Sequence, residues 1–387
     1  MGGRLPQLED LPDVSGKKVL LRADFNVPIA TASDGAQSIT DDYRITSTLP
    51  TIEWLREHGA EVTICTHLGR PDGRPDPAYS LDPVRARLEK LAPGVRLLEN
   101  LRFSPGEEAN DAAFVDALVE GQDAYVNDAF AVSHRAHASV VGPPARLPSA
   151  AGRLLAREVE VLSGLLDSPE RPFVAIVGGA KVGDKLGVLR ALAAKVDVLV
   201  VGGGMSYTFF KALGHEVGAS LLDERYLDSC AALLAGDVEV RLPVDVVALS
   251  PGSRIHRGEQ APESERTETF GRDVPGGWEA ADIGPETRRQ YADVIASART
   301  VLWNGPMVAF EDDRLSAGTR AVAEAVASCA GFTVAGGGDS VAAINSYGLA
   351  DRIDHVSSGG GASLELIELG DLPGLEALRA ASNAPRG

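Results

Sequence analysis

The stretch RPFVAIVGGAKVGDKLGVLRALAAKVDVLVVGGGM, residues 171–205, decides the fold. Two apolar runs, FVAIV (173–177) and VDVLVV (196–201), lack polar alternation and read as strands buried on both faces. Between them, LGVLRALAAKV (186–196) spaces its apolar residues as a helix does. Each strand ends in glycine, at Gly178 and Gly179 and then at Gly202, Gly203 and Gly204. Strand, helix and strand in succession form a crossover unit, so the sheet is parallel.

The same rhythm continues in both directions. Toward the N-terminus come KKVLLRADFN (17–26), AEVTICTHLGRP (60–71), VRLLENLRF (95–103) and DAYVNDAF (123–130). Toward the C-terminus come RTVLWNGP (299–306) and GFTVAGGGDS (331–340). A helical pattern, ITSTLPTIEWLREHG (45–59), separates the first two strands. The rhythm breaks once, at GPPARLPSA (142–150), and a helical stretch follows at 152–172. The reading is an α/β protein with two doubly wound (Rossmann-like) parallel-sheet lobes, 1–150 and 171–369, joined by a hinge helix over 151–170. Residues 250–287 read as loops and edge strands inside the second lobe, and ASNAPRG (381–387) reads as loose. No repeat of 20–50 residues is visible.

The length of 387 residues fits two or three domains, and 44% apolar with 24% charged residues is a globular composition. The net charge of −18 argues against a nucleic-acid or anionic-membrane surface. It leaves room for a small anionic ligand in a locally basic pocket. Cys65, Cys230 and Cys329 lie far apart without a C-x-x-C, which suits reduced thiols in the cytoplasm and no zinc site. The N-terminus shows no signal-peptide pattern, and no run of 18 apolar residues occurs.

The first half sets Arg22, Arg44, Arg70, Arg102, Arg135, His67 and His137 beside predicted strand ends. Open α/β sheets bind ligands outside the carboxyl ends of their strands. Guanidinium forks match carboxylate and phosphate oxygens two at a time, so such a set suits a small ligand with more than one anionic group. For any single arginine, a surface salt bridge is the ordinary alternative. Asp24 and Asn26 stand beside Arg22 and are suited to ligand hydroxyls, or to an Asx turn.

The second half is built from glycine clusters at 178–179, 202–204, 336–338 and 359–361, each beside an apolar run. Glycine lets backbone N–H groups approach a phosphate, and a following helix N-terminus favours the anion. GGAKVGDK (178–185) nearly spells a P-loop, but Asp184 stands where lysine is required and Lys185 where Ser or Thr is required. No cluster fits G-x-G-x-x-G. A nucleotide site of another kind remains. Lys181 and Lys185 are two of only seven lysines, at a helix end where cations are unfavourable without an anionic ligand. Asp339 follows the third cluster and is placed either to hold Mg²⁺ beside phosphates or to cap a helix.

With these residues assembled, the chain resembles the phosphoglycerate kinases. VLLRADFNVP (19–28), THLGRP (66–71), LENLRF (98–103) and HRAHAS (134–139) are similar to that family's motifs. So are GGAKVGDK (178–185), GGGMSYTFFKALG (202–214), DIGPET (282–287), LWNGPM (302–307), GGGDS (336–340) and HVSSGGGASLE (355–365). The resemblance runs in one order over nearly the whole chain. It implies an N-terminal lobe that takes 3-phosphoglycerate or 1,3-bisphosphoglycerate, and a C-terminal lobe that takes MgADP or MgATP. It also implies that residues from about 370 onward fold back on the N-terminal lobe.

Residue by residue, the resemblance assigns phosphoglycerate to Asp24, Asn26, His67, Leu68, Gly69, Arg70, Arg102 and Arg135, supported by Arg22. Arg44 would meet the phosphoryl group in flight, with Lys181 and Gly360 as its partners. Lys185, Gly203, Asn304, Glu311, Gly337, Gly338, Asp339 and Ser340 would hold the nucleotide, with Glu311 on the ribose and Asp339 on Mg²⁺. The chain departs from the family at Ala280, at Val308 and Ala309, at AFAVS (129–133) and at Gly218-Ala219-Ser220. The implied protein is a cytoplasmic monomer without a nucleic-acid or membrane partner. The alternatives are a dinucleotide-dependent oxidoreductase, a non-catalytic nucleotide-binding homologue and a kinase for another small carboxylate.

Overall fold

The computed structural model describes residues 4–33 and 35–383. The chain forms two compact units. One holds the described residues up to Leu162 and from Leu369 onward; the other is Ser163–Glu368. The crossing from the first to the second therefore falls inside the helix Arg153–Asp167.

The strands of the first unit are β1 (Lys18–Arg22), β2 (Ile29–Thr31), β3 (Gln37–Ile39), β4 (Glu61–Cys65), β5 (Arg96–Leu97), β6 (Ala124–Asn127) and β7 (Ser149–Ala151). Five of them form a parallel sheet in the order β5-β4-β1-β6-β7, and β2 and β3 form a separate antiparallel pair. Strand order reverses between β1 and β6. Val19, Leu21, Ile64 and Val126 are buried in the core, as expected for a sheet covered on both faces.

The second unit continues with β8 (Phe173–Val177), β9 (Val198–Val201), β10 (Glu239–Arg241), β11 (Val246–Leu249), β12 (Thr267–Phe270), β13 (Glu279–Ile283), β14 (Thr300–Asn304), β15 (Phe332–Gly336) and β16 (His355–Val356). Six make a parallel sheet in the order β10-β9-β8-β14-β15-β16, which reverses between β8 and β14. Its middle strands β8 and β14 are buried at every position. The region 250–287 contributes β12 and β13, which flank β11 in an antiparallel three-stranded sheet.

Three local expectations change. The stretch 95–103 is a strand only at Arg96–Leu97. Asn100 ends it, because its side chain caps the turn Leu101–Phe103 by accepting from Arg102 N at 3.1 Å. The helical pattern 45–59 is two pieces, Tyr43–Thr46 and Leu49–Glu57, and Pro50 sits in the first turn of the second, where a missing N–H costs nothing. Of the supposedly loose ASNAPRG, residues 381–383 belong to the helix Pro373–Asn383, and 384–387 lie outside the described residues. That helix packs within the first unit: Leu375 and Leu378 are buried, and Gly374 N donates to Ser133 O at 2.9 Å.

Candidate active site

In each parallel sheet the chemistry-bearing residues follow the carboxyl ends of the strands beside the reversal point, where open α/β sheets take ligands. In the first unit β1 ends at Arg22, which pairs in register with Cys65 of β4 and Asn127 of β6. Arg22 is enclosed, with 1% of its surface exposed. Its Nε donates to Ser139 Oγ at 2.8 Å and its Nη1 to Ala23 O at 2.5 Å. Its Nη2 lies 3.3 Å from His67 Nδ1. Buried Glu107 lies 3.9 Å from Nη2 and accepts from Ser139 N and Oγ at 2.9 and 2.6 Å. The Arg22 fork is thus taken up by neighbouring protein groups.

Asp24 pairs with Arg44 and accepts from Asn26 N at 3.1 Å. Burial alone would raise its pKa, but the positive charges around it prevail and hold it below the usual carboxylate range. His67, buried beside Asp24, is drawn down to about 3 by burial, against the pull of Asp24 and with Arg22, Arg102 and Arg44 adding to the shift. At neutral pH His67 is thus uncharged, and Arg44 and Arg22 are the cations that stabilise Asp24.

Asn26 Oδ1 accepts from Gly69 N at 2.9 Å, and Arg102 Nη1 donates to Gly69 O at 2.7 Å. Gly69 has φ +61°, and a Cβ there would stand 2.1 Å from the Tyr79 ring. Leu68 is buried, its N donating to Asn100 Oδ1 at 3.3 Å and its O accepting from Asn100 Nδ2 at 2.8 Å. Leu68 and Gly69 thus form a backbone ledge. Arg70 is exposed beside it, close enough to bear on the charge of Arg102. Arg135 is exposed and donates from Nε to His134 Nε2 at 2.9 Å. Glu107, Asn100 and Ser139 belong to this network and were not singled out from the sequence. No local signal marks them, since their partners are distant in the chain.

In the second unit the loops after β8, β9 and β14 touch backbone to backbone. A Cβ on Gly178 would lie 2.2 Å from Pro306 O, and one on Gly305 (φ +92°) 2.3 Å from Gly178 O. A Cβ on Gly203 (φ +73°) would lie 2.5 Å from Gly179 O. These loops close only with hydrogen at those positions. Lys185 Nζ sits where they meet, donating to Gly178 O at 2.7 Å and to Asn304 Oδ1 at 2.6 Å. Burial lowers its pKa to about 8, against the opposing pull of Asp339 and Asp184. Ser340 is also buried and accepts from Gly305 N at 2.6 Å. Asn304, Gly203 and Ser340 thus build the cradle from behind.

Gly338, by contrast, opens the helix Gly338–Ser346 with open space where a Cβ would stand, and Asp339 is exposed in that first turn. Gly337 (φ +92°) brings that turn to the Asn304 side chain. Gly360 (φ +53°) likewise faces open space, just before the helix Gly361–Leu369. Lys181 is exposed on the loop after Gly179, and its charge bears on Asp223.

A cavity of 210 Å³ adjoins the cradle. Gly179, Ala180, Gly204 and Asp339 line one side, and Ala280, Val308, Ala309 and Glu311 line another. Tyr207, Leu221, Ile255, Arg257 and Phe310 also line it and were not picked out from the sequence. Among the described residues no group of three or more His, Cys, Asp or Glu side chains is arranged to hold a metal ion. Asp339, beside the candidate phosphate cradle, suits Mg²⁺, which keeps waters and takes one or two carboxylates plus substrate phosphates.

A candidate arginine-rich anion site on one parallel sheet and a candidate glycine-walled phosphate cradle on another fit an α/β phosphotransferase. Comparison with known proteins makes the assignment specific. The family model described as phosphoglycerate kinase matches residues 8–95 and 92–369. The phosphoglycerate kinase of Rubrobacter xylanophilus is 48% identical over 391 residues, spanning 95% of this chain and 96% of the relative. That of Salinispora tropica is 47% identical, with 96% and 98% covered. Among solved structures, the phosphoglycerate kinase from Coxiella burnetii is similar with a TM-score of 0.85 and 37% identity, covering 97% of this chain and 99% of that one. The Pyrococcus horikoshii enzyme has a TM-score of 0.78 at 30% identity, with 98% and 99% covered. The chain belongs to the phosphoglycerate kinase family.

Proposed function

We propose that this protein is an ATP:3-phosphoglycerate phosphotransferase, reversibly moving a phosphoryl group between 1,3-bisphosphoglycerate and MgADP to give 3-phosphoglycerate and MgATP. The observation that carries the reading is the division of labour between the two reversal points. One has charged forks around an uncharged histidine, and the other has closely packed glycine loops whose carbonyl groups hold a half-buried lysine. No oxidoreductase or non-catalytic reading accounts for both within this family.

The acceptor is a carboxylate with a pKa of about 3.5, already ionised at neutral pH. No general base is needed, so the neutral His67 serves as a hydrogen-bonding group. Arg70, Arg102 and Arg135 take the phosphate and carboxylate charges of phosphoglycerate. Asp24 and Asn26 take its hydroxyl side, and the ledge at Leu68 and Gly69 sets its depth. Arg44 is part-exposed and able to exchange its Asp24 partner for the transferring group. Lys185 holds nucleotide phosphates, and its proton is kept once an anion adds to the pull of Asp339. The cavity between Ala280 and Glu311 takes the nucleoside end, with Glu311 on the ribose hydroxyls.

Asp339 would hold the Mg²⁺ that accompanies the nucleotide, and the ion would neutralise charge on the phosphate oxygens. In-line transfer then depends on positioning and on positive field at the moving group. Lys181, Arg44 and the N–H groups near Gly360 supply it.

We further read the protein as a cytoplasmic monomer. Three free cysteines among the described residues support the compartment, and large exposed apolar side chains come singly from different elements. Among the described residues no helix is long and apolar enough to cross a membrane.

The test is steady-state turnover of 3-phosphoglycerate with MgATP, coupled through 1,3-bisphosphoglycerate to NADH oxidation, beside a metal-free control. Mg-dependent turnover is the expected result. Binding of both ligands without turnover would refute the enzymatic reading.

A further inference from the structure

The outer wall of the 210 Å³ cavity is made by two segments far apart in the chain. The loop 250–266, between β11 and β12, lends Ile255 and Arg257, and the segment 308–311, after β14, ends in Glu311. Neither segment is regular structure, so no sheet or helix sets the distance between them.

The Arg314 guanidinium ties them, beside direct hydrogen bonds between the two segments and the apolar cluster that Ile255 and Val308 share. Arg314 Nε and Nη2 donate to Asp312 Oδ1 and Oδ2 at 3.0 and 2.7 Å. Nη1 donates to Glu265 Oε2 at 3.2 Å, and Nη2 donates to Arg254 O at 2.8 Å. Asp312 returns the tie by accepting from His256 N at 2.8 Å, and Gly258 N donates to Glu311 O at 3.1 Å. His256 Nε2 lies 3.0 Å from Glu265 Oε2. The fork therefore grips both segments, immediately beside the residues that face the cavity. Ile255 and Arg257 flank His256, and Glu311 precedes Asp312. Across the seam Arg257 Nη1 stands 3.8 Å from Glu311 Oε1.

The clamp is shielded from water, with Asp312 3% and the Arg314 side chain 19% exposed. It is therefore not the screened surface pair that contributes little. Burial opposes ionisation of Asp312, yet its hydrogen bonds with Arg314 and His256 N bring it down to about 2. The clamp stays charged through the neutral range.

We propose that Arg314 is a positioning residue for the nucleotide, because its clamp on the loop 250–266 sets the wall against which the nucleoside end rests. This deepens the reading of the cavity as the nucleotide site and rests on it. The role is specific to the nucleoside, since the phosphate cradle at Gly178, Gly305 and Lys185 is built without Arg314.

Calorimetric titration with MgATP and with magnesium tripolyphosphate, which lacks the nucleoside, separates the two. Arg314→Met is expected to weaken MgATP about tenfold while tripolyphosphate changes by less than about twofold. The kcat at saturating MgATP and the KM for 3-phosphoglycerate are expected to hold. Glu265→Gln is expected to give the same selective loss, and the double variant no more than the larger single effect. Should Arg314→Met not fold, Glu265→Gln carries the test by the same criteria. Unchanged MgATP affinity, or equal weakening of both probes, overturns the clamp. Wild-type protein that binds MgATP but does not phosphorylate 3-phosphoglycerate overturns the reaction instead, and the binding comparison still decides the clamp.

Discussion

The two candidate ligand sites are built from opposite materials. Around β1 the candidate anion site is made of long charged side chains, and three of them have a carboxylate beside them: Asp24 for Arg44, Glu108 for Arg102, Glu107 beneath Arg22. Around β8 and β14 the cradle is made of main chain. Its loops approach so closely that a methyl group would overlap a carbonyl oxygen. A site of side chains tolerates small changes of shape and is governed by electrostatics. A site of backbone tolerates charge changes nearby and is governed by sterics.

The largest effect is expected where the second region departs from its own pattern and extends a cation. Lys181→Ala should lower kcat by about a hundredfold to a thousandfold, the scale of one lost transition-state donor, with the KM for 3-phosphoglycerate barely moved. Near-normal kcat would leave Lys181 without a part in the reaction. Next comes the side-chain site: Arg102→Ala should raise the KM for 3-phosphoglycerate by about tenfold to a hundredfold and spare MgATP binding. Loss of both affinities together would break the contrast between the regions.

Sterics are tested within the cradle itself. Gly305→Ala forces a side chain into φ +92° and against Gly178 O. It should cost on the order of 1–3 kcal/mol from the backbone alone, read by urea unfolding. Gly338→Ala, with open space for the new Cβ, should cost far less. Equal losses would mean that close approach does not define this region.

Two titrations give smaller effects. The Lys185 pKa, lowered to about 8, means that the folded protein binds fewer protons than the unfolded chain between pH 8 and the usual lysine range. Burying the charged form costs stability at neutral pH, and that cost is relieved as pH rises through this window. Phosphates should restore the proton, so MgATP binding near pH 9 should take up a fraction of a proton. Calorimetry in two buffers of different ionisation enthalpy measures it, and Lys185→Met should abolish it.

Asp128 makes the reverse case among acids of the first unit. It is held by Leu155 N at 3.1 Å and by Thr51, without a paired arginine, and burial raises its pKa to about 6. The folded protein then binds more protons than the unfolded chain from the ordinary carboxylate range up to about pH 6. Stability from this group falls as pH rises through that window. Asp128→Asn should flatten that part of the curve. An unchanged slope between pH 4.5 and 7 would place the titration elsewhere.

The strands and glycine turns were legible because their signals are local. An uninterrupted apolar run followed by glycine means a buried strand and a tight exit wherever it occurs, as FVAIVGG and VLVVGGG show. The arginine set was legible as a set, from residue type and place at strand ends. The division of roles within it was not. Arg22 looks like its fellows in sequence, but its fork is consumed by Ser139, 117 residues away. Lys185 reads as a free phosphate ligand, but its ammonium rests on Asn304, 119 residues away. The clamp at Arg314 left no motif at all, since Glu265 and Asp312 are unremarkable acids until two loops meet.

The amino-acid sequence by itself determined the α/β class, the parallel sheets, the order of the strands' glycine exits and the family to which the chain belongs. Those follow from periodicity and from backbone freedom, which act over a few residues. Only the tertiary structure decided which charges are exposed and which are spent on each other, and which glycines are required by close approach. Burial and pairing depend on residues that folding brings together, and neither desolvation nor a hydrogen-bond partner can be read from the chain before it does so.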